Sequence, residues 1–237
     1  MAVIAYNSPE IKAFGIDDAP WRKTEWKQFR ERNVRPQRLM RALFINPSLI
    51  PDPRTLMEQI YWVAVGMQDI PSDEDFLRYF TPEELFSIWR TVNYRMYKIN
   101  GDCPDNQALA LQSARSLMED IVTCADKALS SDLPVLDLRF GHDTNLLRLL
   151  ALMGIEGASE RETDGEVFWR VWQEFDLSPM AANLQLYFVR GRRSSDIKVK
   201  LLLNERPIRF SSFSDESGYI DWKELKDYWN QRINSSI

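Results

Sequence analysis

The stretch that most restricts the fold of this 237-residue chain lies between residues 133 and 154. Leu133 to Phe140 clusters apolar residues as a buried strand does, and Leu146 to Met153 has the apolar pattern of a helix. Gly141 and a His142-Asp143 pair separate the two runs. A strand, a glycine turn, a polar pair and a helix in this order are typical of an α/β sheet, whose sites lie beyond the carboxyl ends of the strands.

The His142-Asp143 pair has two interpretations. The free amides at the start of the following helix favour a bound anion, so the histidine and the acid could bind a phosphoryl group and exchange a proton with its leaving oxygen. In the structural alternative, Asp143 is the N-cap of the helix and His142 is hydrogen-bonded nearby. So short a motif occurs often by chance, and its spacing alone favours the structural alternative.

The first half of the chain has helical patterns throughout. Thr81-Pro82-Glu83-Glu84 is a strong helix start, with a capping hydroxyl, a proline at the first helical position and a glutamate at the third. Ser72 with Asp75 resembles a capping box ahead of Phe76. The spacing of apolar residues predicts helices over Trp21–Arg32, Pro36–Phe44, Arg54–Met67, Pro82 to about Tyr97, and Asn106–Leu129.

Strand patterns appear only after residue 130. Asn183–Arg190 and Ile197–Leu203 predict an antiparallel hairpin joined by a turn at Gly191–Ser195. A further amphipathic helix is predicted over Gly165–Phe175, Gly154 is a C-cap for the helix before it, and Asp221 with Glu224 predicts the start of a last helix. We therefore predict an α/β fold, with residues 1–130 mainly helical and residues 131–237 forming the α/β part.

Composition excludes several classes of protein. The net charge of −5 gives no reason to expect broad nucleic-acid binding, which needs a strong cationic field. No run approaches the length of a membrane span, and the first residues lack the pattern of a signal peptide. Cys103 and Cys124 cannot form a zinc site with one histidine, so we expect no metal and no cofactor. The sequence leaves open whether the two cysteines form a disulfide or remain thiols. The cysteine count therefore does not decide between an oxidising and a reducing cellular compartment.

Two further sets of residues have simpler explanations than a binding site. Arg190, Arg192, Arg193, Lys198 and Lys200 form a local basic cluster that fits a solvated hairpin edge better than a nucleic-acid patch. The aromatic sets fit core packing better than a ligand cage; they are Trp169, Trp172 and Phe175, and Trp222, Tyr228 and Trp229.

Several segments together resemble the histidine acid phosphatases of the histidine phosphatase superfamily. Arg139–Leu147 (RFGHDTNLL) resembles their His-Asp segment, and Ser178–Leu186 (SPMAANLQL) their following strand entrance. Lys200–Glu205 (KLLLNE) is similar to their last hairpin, and the block 55–130 to their helical cap. The similarity covers nearly the whole chain and is greatest to the bacterial branch related to phytases and multiple inositol-polyphosphate phosphatases.

This resemblance implies phosphomonoester hydrolysis, with inositol phosphates as the favoured substrates. In that family an Arg-His-Gly-x-Arg motif supplies a histidine that becomes phosphorylated, together with arginines that bind phosphate. By carry-over, Asp143 protonates the leaving alcohol, while His142 and Thr144 contact the substrate. The family also implies a periplasmic or secreted location.

The chain departs from the family in one decisive respect. His142 is its only histidine, and no Arg-His-Gly segment exists, so the nucleophile is absent. Asp143 also differs from the His-Ala-Glu form of animal inositol-polyphosphate phosphatases. We therefore expect a histidine-phosphatase-like α/β domain with a helical cap and an incomplete sheet that lacks its N-terminal strands. As a C-terminal half, it would be inactive alone and would pair with a missing N-terminal half or self-associate. The alternative is a non-catalytic association or phosphate-binding protein of the same fold.

Overall fold

The structure is a computed structural model that describes residues 9–131, 135–191, 196–210, 213 and 218–235. The chain divides into two compact units, Asp17–Arg95 and a second unit formed by the residues up to Ile16 and from Met96 onward. The α-helices are α1 (Pro9–Gly15), α2 (Lys27–Asn33), α3 (Gln37–Leu43), α4 (Pro53–Gly66), α5 (Pro82–Asn100), α6 (Leu109–Leu129), α7 (Asp143–Met153), α8 (Glu174–Leu177) and α9 (Trp222–Asn234). The strands are β1 (Leu184–Arg190), β2 (Ile197–Leu203), β3 (Arg206–Pro207) and β4 (Ile220–Asp221).

All the regular secondary structure described in the unit Asp17–Arg95 is helical. A π-helical turn (Arg22–Trp26) leads into α2, and short 3₁₀ turns at Pro47–Leu49, Met67–Asp69 and Phe76–Tyr79 connect the longer helices. Its core consists of buried apolar side chains from α3, α4 and α5, with their neighbours: Val34, Leu39, Met40, Met57, Ala64, Phe80 and Ile88.

The second unit contains the sheet. β2 lies in the middle, with β1 antiparallel on one side and the short strands β3 and β4 on the other. One face of the sheet packs on α9, where the rings of Phe188 and Trp222 meet edge to face at 5.0 Å. Trp222 in turn contacts Trp229 at 6.0 Å, so the hairpin and the last helix share one core.

Most of the predicted elements are present. The helix start at Thr81 is a capping box: Thr81 Oγ1 accepts from the Glu84 amide at 3.3 Å, and Glu84 Oε2 accepts from the Thr81 amide at 3.0 Å. The two strands of the hairpin pair antiparallel, as predicted, although residues 192–195 of its turn lie outside the described residues. Asp221 caps α9, and Gly154 ends α7.

Three predictions of secondary structure are wrong. Residues 135–140, the described part of the predicted strand Leu133–Phe140, form neither strand nor helix. The predicted helix Gly165–Phe175 is instead a 3₁₀ turn (Phe168–Arg170) that precedes the four-residue helix α8. Ser72 does not open a capping box, because it accepts from the Glu74 amide at 3.1 Å, while Asp75 caps the short turn after it.

We predicted that residues 1–130 form a helical cap and that residues 131–237 belong to the phosphatase domain. This division stays a prediction. The chain is mixed in helix and sheet, as predicted. No helix of the described part is long and apolar enough to cross a membrane.

Candidate functional site

Helix α7 presents the His142-Asp143 pair and is fixed firmly at its far end. Arg232 of α9 donates to the last carbonyls of α7, from Nε to Leu152 at 2.5 Å and from Nη2 to Ala151 at 2.9 Å. Gly154 ends the helix with a φ of +76°, a left-handed conformation that glycine adopts without strain. Because α7 is held at its C-terminus and buried along most of its length, the position of its N-terminus is well defined.

The pair itself is open to solvent. Gly141, His142 and Asp143 are exposed, and Thr144 is half-buried. His142 is the N-cap residue, with an extended backbone and no capping hydrogen bond from its side chain. Asp143 is the first helical residue, and its Oδ1 accepts from the Thr144 amide at 2.7 Å. The alternative in which Asp143 is the N-cap is therefore wrong by one position, and the imidazole of His142 faces solvent.

Asn145, two residues after Asp143, is a further polar side chain close to the pair. The Oδ1 atom of Asn145 is buried and has no hydrogen-bond partner among the described residues. Its amide lies under Gly141, where an added Cβ would come within 3.4 Å of Asn145 Nδ2. Because a carboxamide carries both an acceptor oxygen and a donor nitrogen, this position can offer either.

Glu174, an acidic residue that no sequence motif marks, interacts electrostatically with Asp143. It begins α8 and is half-buried. Burial raises the pKa of its carboxyl, and the negative charge of Asp143 raises the pKa further. Two carboxyl groups are thus close enough to interact at this end of the site. No sequence signal indicates the pairing, since the fold alone brings α8 to the start of α7.

The run before the pair, residues 135–140, is an apolar surface. The exposed fractions of Leu136, Leu138 and Phe140 are 80%, 66% and 94%, values far from those of a buried strand. No main-chain hydrogen bond joins residues 135–140 to any other part of the chain that the structure describes. Such a run needs neighbouring strands to pair its amides and carbonyls, and within the described chain it has none.

The polar residues of the same run are anchored. Arg139 donates to Asp120 of α6, and through Nη2 to Asp137 at 2.9 Å. Burial opposes the charge of Arg139, but these two carboxylates outweigh it and raise the pKa of the guanidinium. Asp137 and Arg139 therefore lie on one side of the run, as alternate residues of an extended chain do. Leu136, Leu138 and Phe140 are left for the opposite side.

The electrostatics of the site do not favour an anion as it stands. Asp143 and Glu174 supply negative charge, and Arg139, the cation next to the pair in sequence, is already engaged with two carboxylates. An open depression of about 220 Å³ near α8 is lined by Gly157, Arg170, Val171, Gln173, Asp176 and Leu177, and not by the pair. A dianionic phosphate at His142 would need further cations close by.

The remaining predicted residues have ordinary structural roles. Lys198 lies 3.5 Å from Asp221, Arg190 donates to the Leu129 carbonyl, and Lys200 lies over the ring of Tyr219. Cys103 is buried, Cys124 is partly buried, and both are free thiols. No group of three metal-ligating side chains occurs among the described residues.

Comparison with known proteins supports the resemblance at the level of the fold. No family model and no curated protein matches the sequence. Among solved structures, the multiple inositol polyphosphate phosphatase of Bifidobacterium longum in complex with phosphate matches with a TM-score of 0.66 and 17% identity, over 98% of this chain and 58% of that one. Its apo form matches with a TM-score of 0.64 and 20% identity, over 76% of this chain and 40% of that one.

The phytase of D. castellii gives a TM-score of 0.68 at 13% identity, over 95% of this chain and 50% of that one. The fold is similar to that of these phosphatases. The chain spans about half the length of the solved proteins that it matches. At this level of identity the similarity bears on the fold, and activity has to be argued from the site.

Proposed function

We propose that this chain supplies the proton-donor half of a histidine-type acid phosphatase site. Asp143 donates a proton to the leaving alkoxide oxygen as the bond from that oxygen to phosphorus breaks. His142 and Thr144 contact the phosphate. The observation that carries the proposal is the exposure of His142 and Asp143 at the N-terminus of α7, a helix anchored at its other end, in a fold similar to phosphatases.

The nucleophile and the phosphate-binding cations come from outside this chain. His142 is the only histidine, so no second imidazole can accept the phosphoryl group. The carboxyl groups of Asp143 and Glu174 add negative charge near His142, which opposes the binding of a dianion. The chain alone is therefore inactive. Inositol phosphates are the favoured substrate class because the B. longum neighbour was solved with inositol hexasulfate, a mimic of a phosphorylated inositol.

An assay of the purified chain tests the proposal. We expect no hydrolysis of a simple phosphomonoester or of inositol hexakisphosphate between about pH 4 and 7, where a carboxylic acid can exchange its proton. His142→Ala and Asp143→Ala are the matched controls. Turnover that Asp143→Ala abolishes would mean that another group of this chain is the nucleophile, and the proposal of a half site would be wrong.

Phosphate binding gives a second readout that does not depend on turnover. Because the chain has one histidine, its imidazole NMR signals need no assignment by mutation. We expect inorganic phosphate to shift these signals weakly, and Asp143→Asn to strengthen the binding by removing a negative charge. Signals that do not respond to phosphate in either protein would rule out a phosphate contact by His142.

A non-catalytic role in association is the second candidate. It is favoured by the apolar surface of residues 135–140, where four large apolar side chains are exposed next to one another: Val135, Leu136, Leu138 and Phe140. The two candidate functions differ in their response to phosphate. A surface that serves only for association gives no reason for phosphate to shift the NMR signals of His142.

A further inference from the structure

Arg95 of α5 is a half-buried cation without an ion pair. Within the described part of the chain, its guanidinium pairs with no carboxylate and donates no hydrogen bond. Burial lowers the pKa of Arg95, and the positive charge of Arg22 lowers it further, while Asp17 and Glu58 each oppose this with a smaller effect. Buried charges in proteins are normally paired, so a guanidinium in this state is open to an anion from outside the chain.

The packing of α5 places Arg95 level with the π-helical turn Arg22–Trp26. The rings of Phe29 and Tyr94 stack with their centroids 4.4 Å apart, and the Tyr94 hydroxyl donates to Glu25. Arg95 is the next residue of the same helix, about 1.5 Å further along its axis. It therefore lies at the height of Trp26, which follows Glu25 in the turn.

Trp26 lies beside two further guanidinium groups. Those of Arg22 and Arg30 lie over its ring, 5.2 and 5.8 Å from the ring centroid. The indole Nε1 of Trp26 is buried and has no hydrogen-bond partner among the described residues. Turns of π-helix are rare and occur frequently at functional sites, and this one carries Arg22 and Trp26 together. Guanidinium groups with an unused N–H donor are the groups that bind an oxyanion.

Two carboxylates are already paired in this cluster, and one of the two pairs is open to solvent. Glu58 accepts from Arg30 through both oxygens, at 2.7 and 2.6 Å. Asp17 lies 2.5 Å from Arg22, yet the side chain of Asp17 is 90% exposed and that of Arg22 only 9%. An incoming anion can displace Asp17 into water and is then met by Arg22 and Arg95. Their two positive charges match a dianion.

We propose that Arg22, Trp26 and Arg95 form a binding site for a dianionic oxyanion of the phosphate type. The two guanidinium groups neutralise its charge, and the indole N–H donates to a third oxygen. Inorganic phosphate and the phosphate group of a small ester present the same oxygens. All three residues belong to the unit Asp17–Arg95, so the inference goes beyond the proposed function, which uses residues of the other unit.

NMR of the indole N–H groups tests the site on the intact chain. Trp26→Phe identifies the signal of Trp26 among those of the eight tryptophans. At constant ionic strength, we expect inorganic phosphate to move this signal downfield and to saturate, because the N–H gains an acceptor. Acetate, a monoanion, should bind several-fold more weakly. Glycerol phosphate in parallel decides the source: equal binding assigns the site to phosphate groups in general, and weaker binding assigns it to the free anion.

Arg95→Gln and Arg41→Gln form a matched pair, because each removes one positive charge and Arg41 is exposed on α3. We expect Arg95→Gln to weaken phosphate binding about tenfold or more, as the loss of a charged hydrogen-bond donor does, and Arg41→Gln to leave it unchanged. Phosphate should raise the Tm of the original protein and of Arg41→Gln, but not of Arg95→Gln. Without phosphate, Arg95→Gln has no ion pair to lose, so its Tm should equal that of the original protein.

Asp17→Asn gives a change in the opposite direction. Because this variant removes the anion that competes for Arg22, it should bind phosphate several-fold more tightly. The inference is overturned by a Trp26 signal that does not saturate, by equal weakening in the two arginine variants, by acetate that binds as well as phosphate, or by an unchanged affinity of Asp17→Asn. The imidazole signals of His142 in the same titration report on the proposed function separately, so either one can fail without the other.

Discussion

Gly154 joins the end of α7 to α9, and two of its properties can be separated by mutation. Its φ is +76°, and a Cβ at this position would collide with the Tyr228 hydroxyl. Gly157 has a similar φ of +82°, but a Cβ there would meet nothing within 4 Å. The two glycines therefore form a matched pair, one crowded and one open.

We expect Gly154→Ala to lower the free energy of unfolding by more than Gly157→Ala does. The left-handed backbone alone costs a non-glycine residue about 1–3 kcal/mol, and Gly154→Ala must also displace Tyr228. Denaturant titration of both variants measures the difference. Equal losses would show that Tyr228 moves aside freely.

Glu174 gives a prediction about protonation. Because the charge of Asp143 raises the pKa of Glu174 in addition to burial, we expect Asp143→Asn to lower that pKa. Carbon-13 NMR titration of the carboxyl groups measures this change. If the pKa of Glu174 is the same in the variant as in the original protein, the two carboxyl groups are too far apart to interact. A raised pKa means that the folded chain binds protons more tightly than the unfolded one. The contribution of Glu174 to stability is thus complete below its unfolded pKa and is lost as the pH rises through its folded pKa.

The sequence indicated His142 and Asp143 as site residues, but it did not indicate Glu174. His142 and Asp143 stand at a recognisable helix start, and their exposure agrees with a functional role. Glu174 lies in a stretch predicted to be the end of one long amphipathic helix. Its approach to Asp143 depends on the packing of α8 near the start of β1, which no local pattern encodes.

At the scale of the elements, helix α5 owes its start to side chains that the sequence identifies. We expect Thr81→Ala to lower the free energy of unfolding by about 1 kcal/mol, because the Glu84 amide loses its capping hydroxyl. Ser72→Ala is the matched control, since Ser72 resembles a capping residue in sequence but accepts within an exposed loop. Thermal unfolding of the two variants measures the contrast. A Ser72→Ala loss as large as that of Thr81→Ala would mean that Ser72 has a structural role.

The failures of prediction at this scale have physical causes. The run 133–140 has the composition of a strand, but a strand forms only where a neighbour accepts its hydrogen bonds. The segment 165–175 has helical spacing, yet Phe168, in a 3₁₀ turn, and Trp172, just after it, lie 5.7 and 5.4 Å from the ring of Tyr97. The Tyr97 hydroxyl also accepts from the Glu162 amide at 2.7 Å, which fixes the loop before this segment. Packing overrides local propensity in both cases.

At the scale of the whole molecule, the apolar residues on the two sides of the His142-Asp143 pair differ sharply in burial. Leu138 is 66% exposed, whereas Leu147 is 1% exposed. We expect Leu138→Asn to change the free energy of unfolding by less than about 0.5 kcal/mol, as at an ordinary surface position. Leu147→Ala should cost about 2–5 kcal/mol, because it leaves a cavity in the core. A large loss for Leu138→Asn at high protein concentration only would show that the run is covered by another copy.

The same uncovered run has a consequence for the integrity of the chain. Residues 135–140 offer an arginine and several large apolar side chains to a protease, without the hydrogen bonds that protect a strand. A cut after Arg139 would leave α6 and α7 on separate pieces, yet the two helices pack against each other. Helix α9, which stays on the same piece as α7, also contacts α6, where Trp222 Nε1 donates to Asp126 at 2.9 Å. The nicked protein should therefore stay together in solution, as a pair of fragments joined by non-covalent contacts alone.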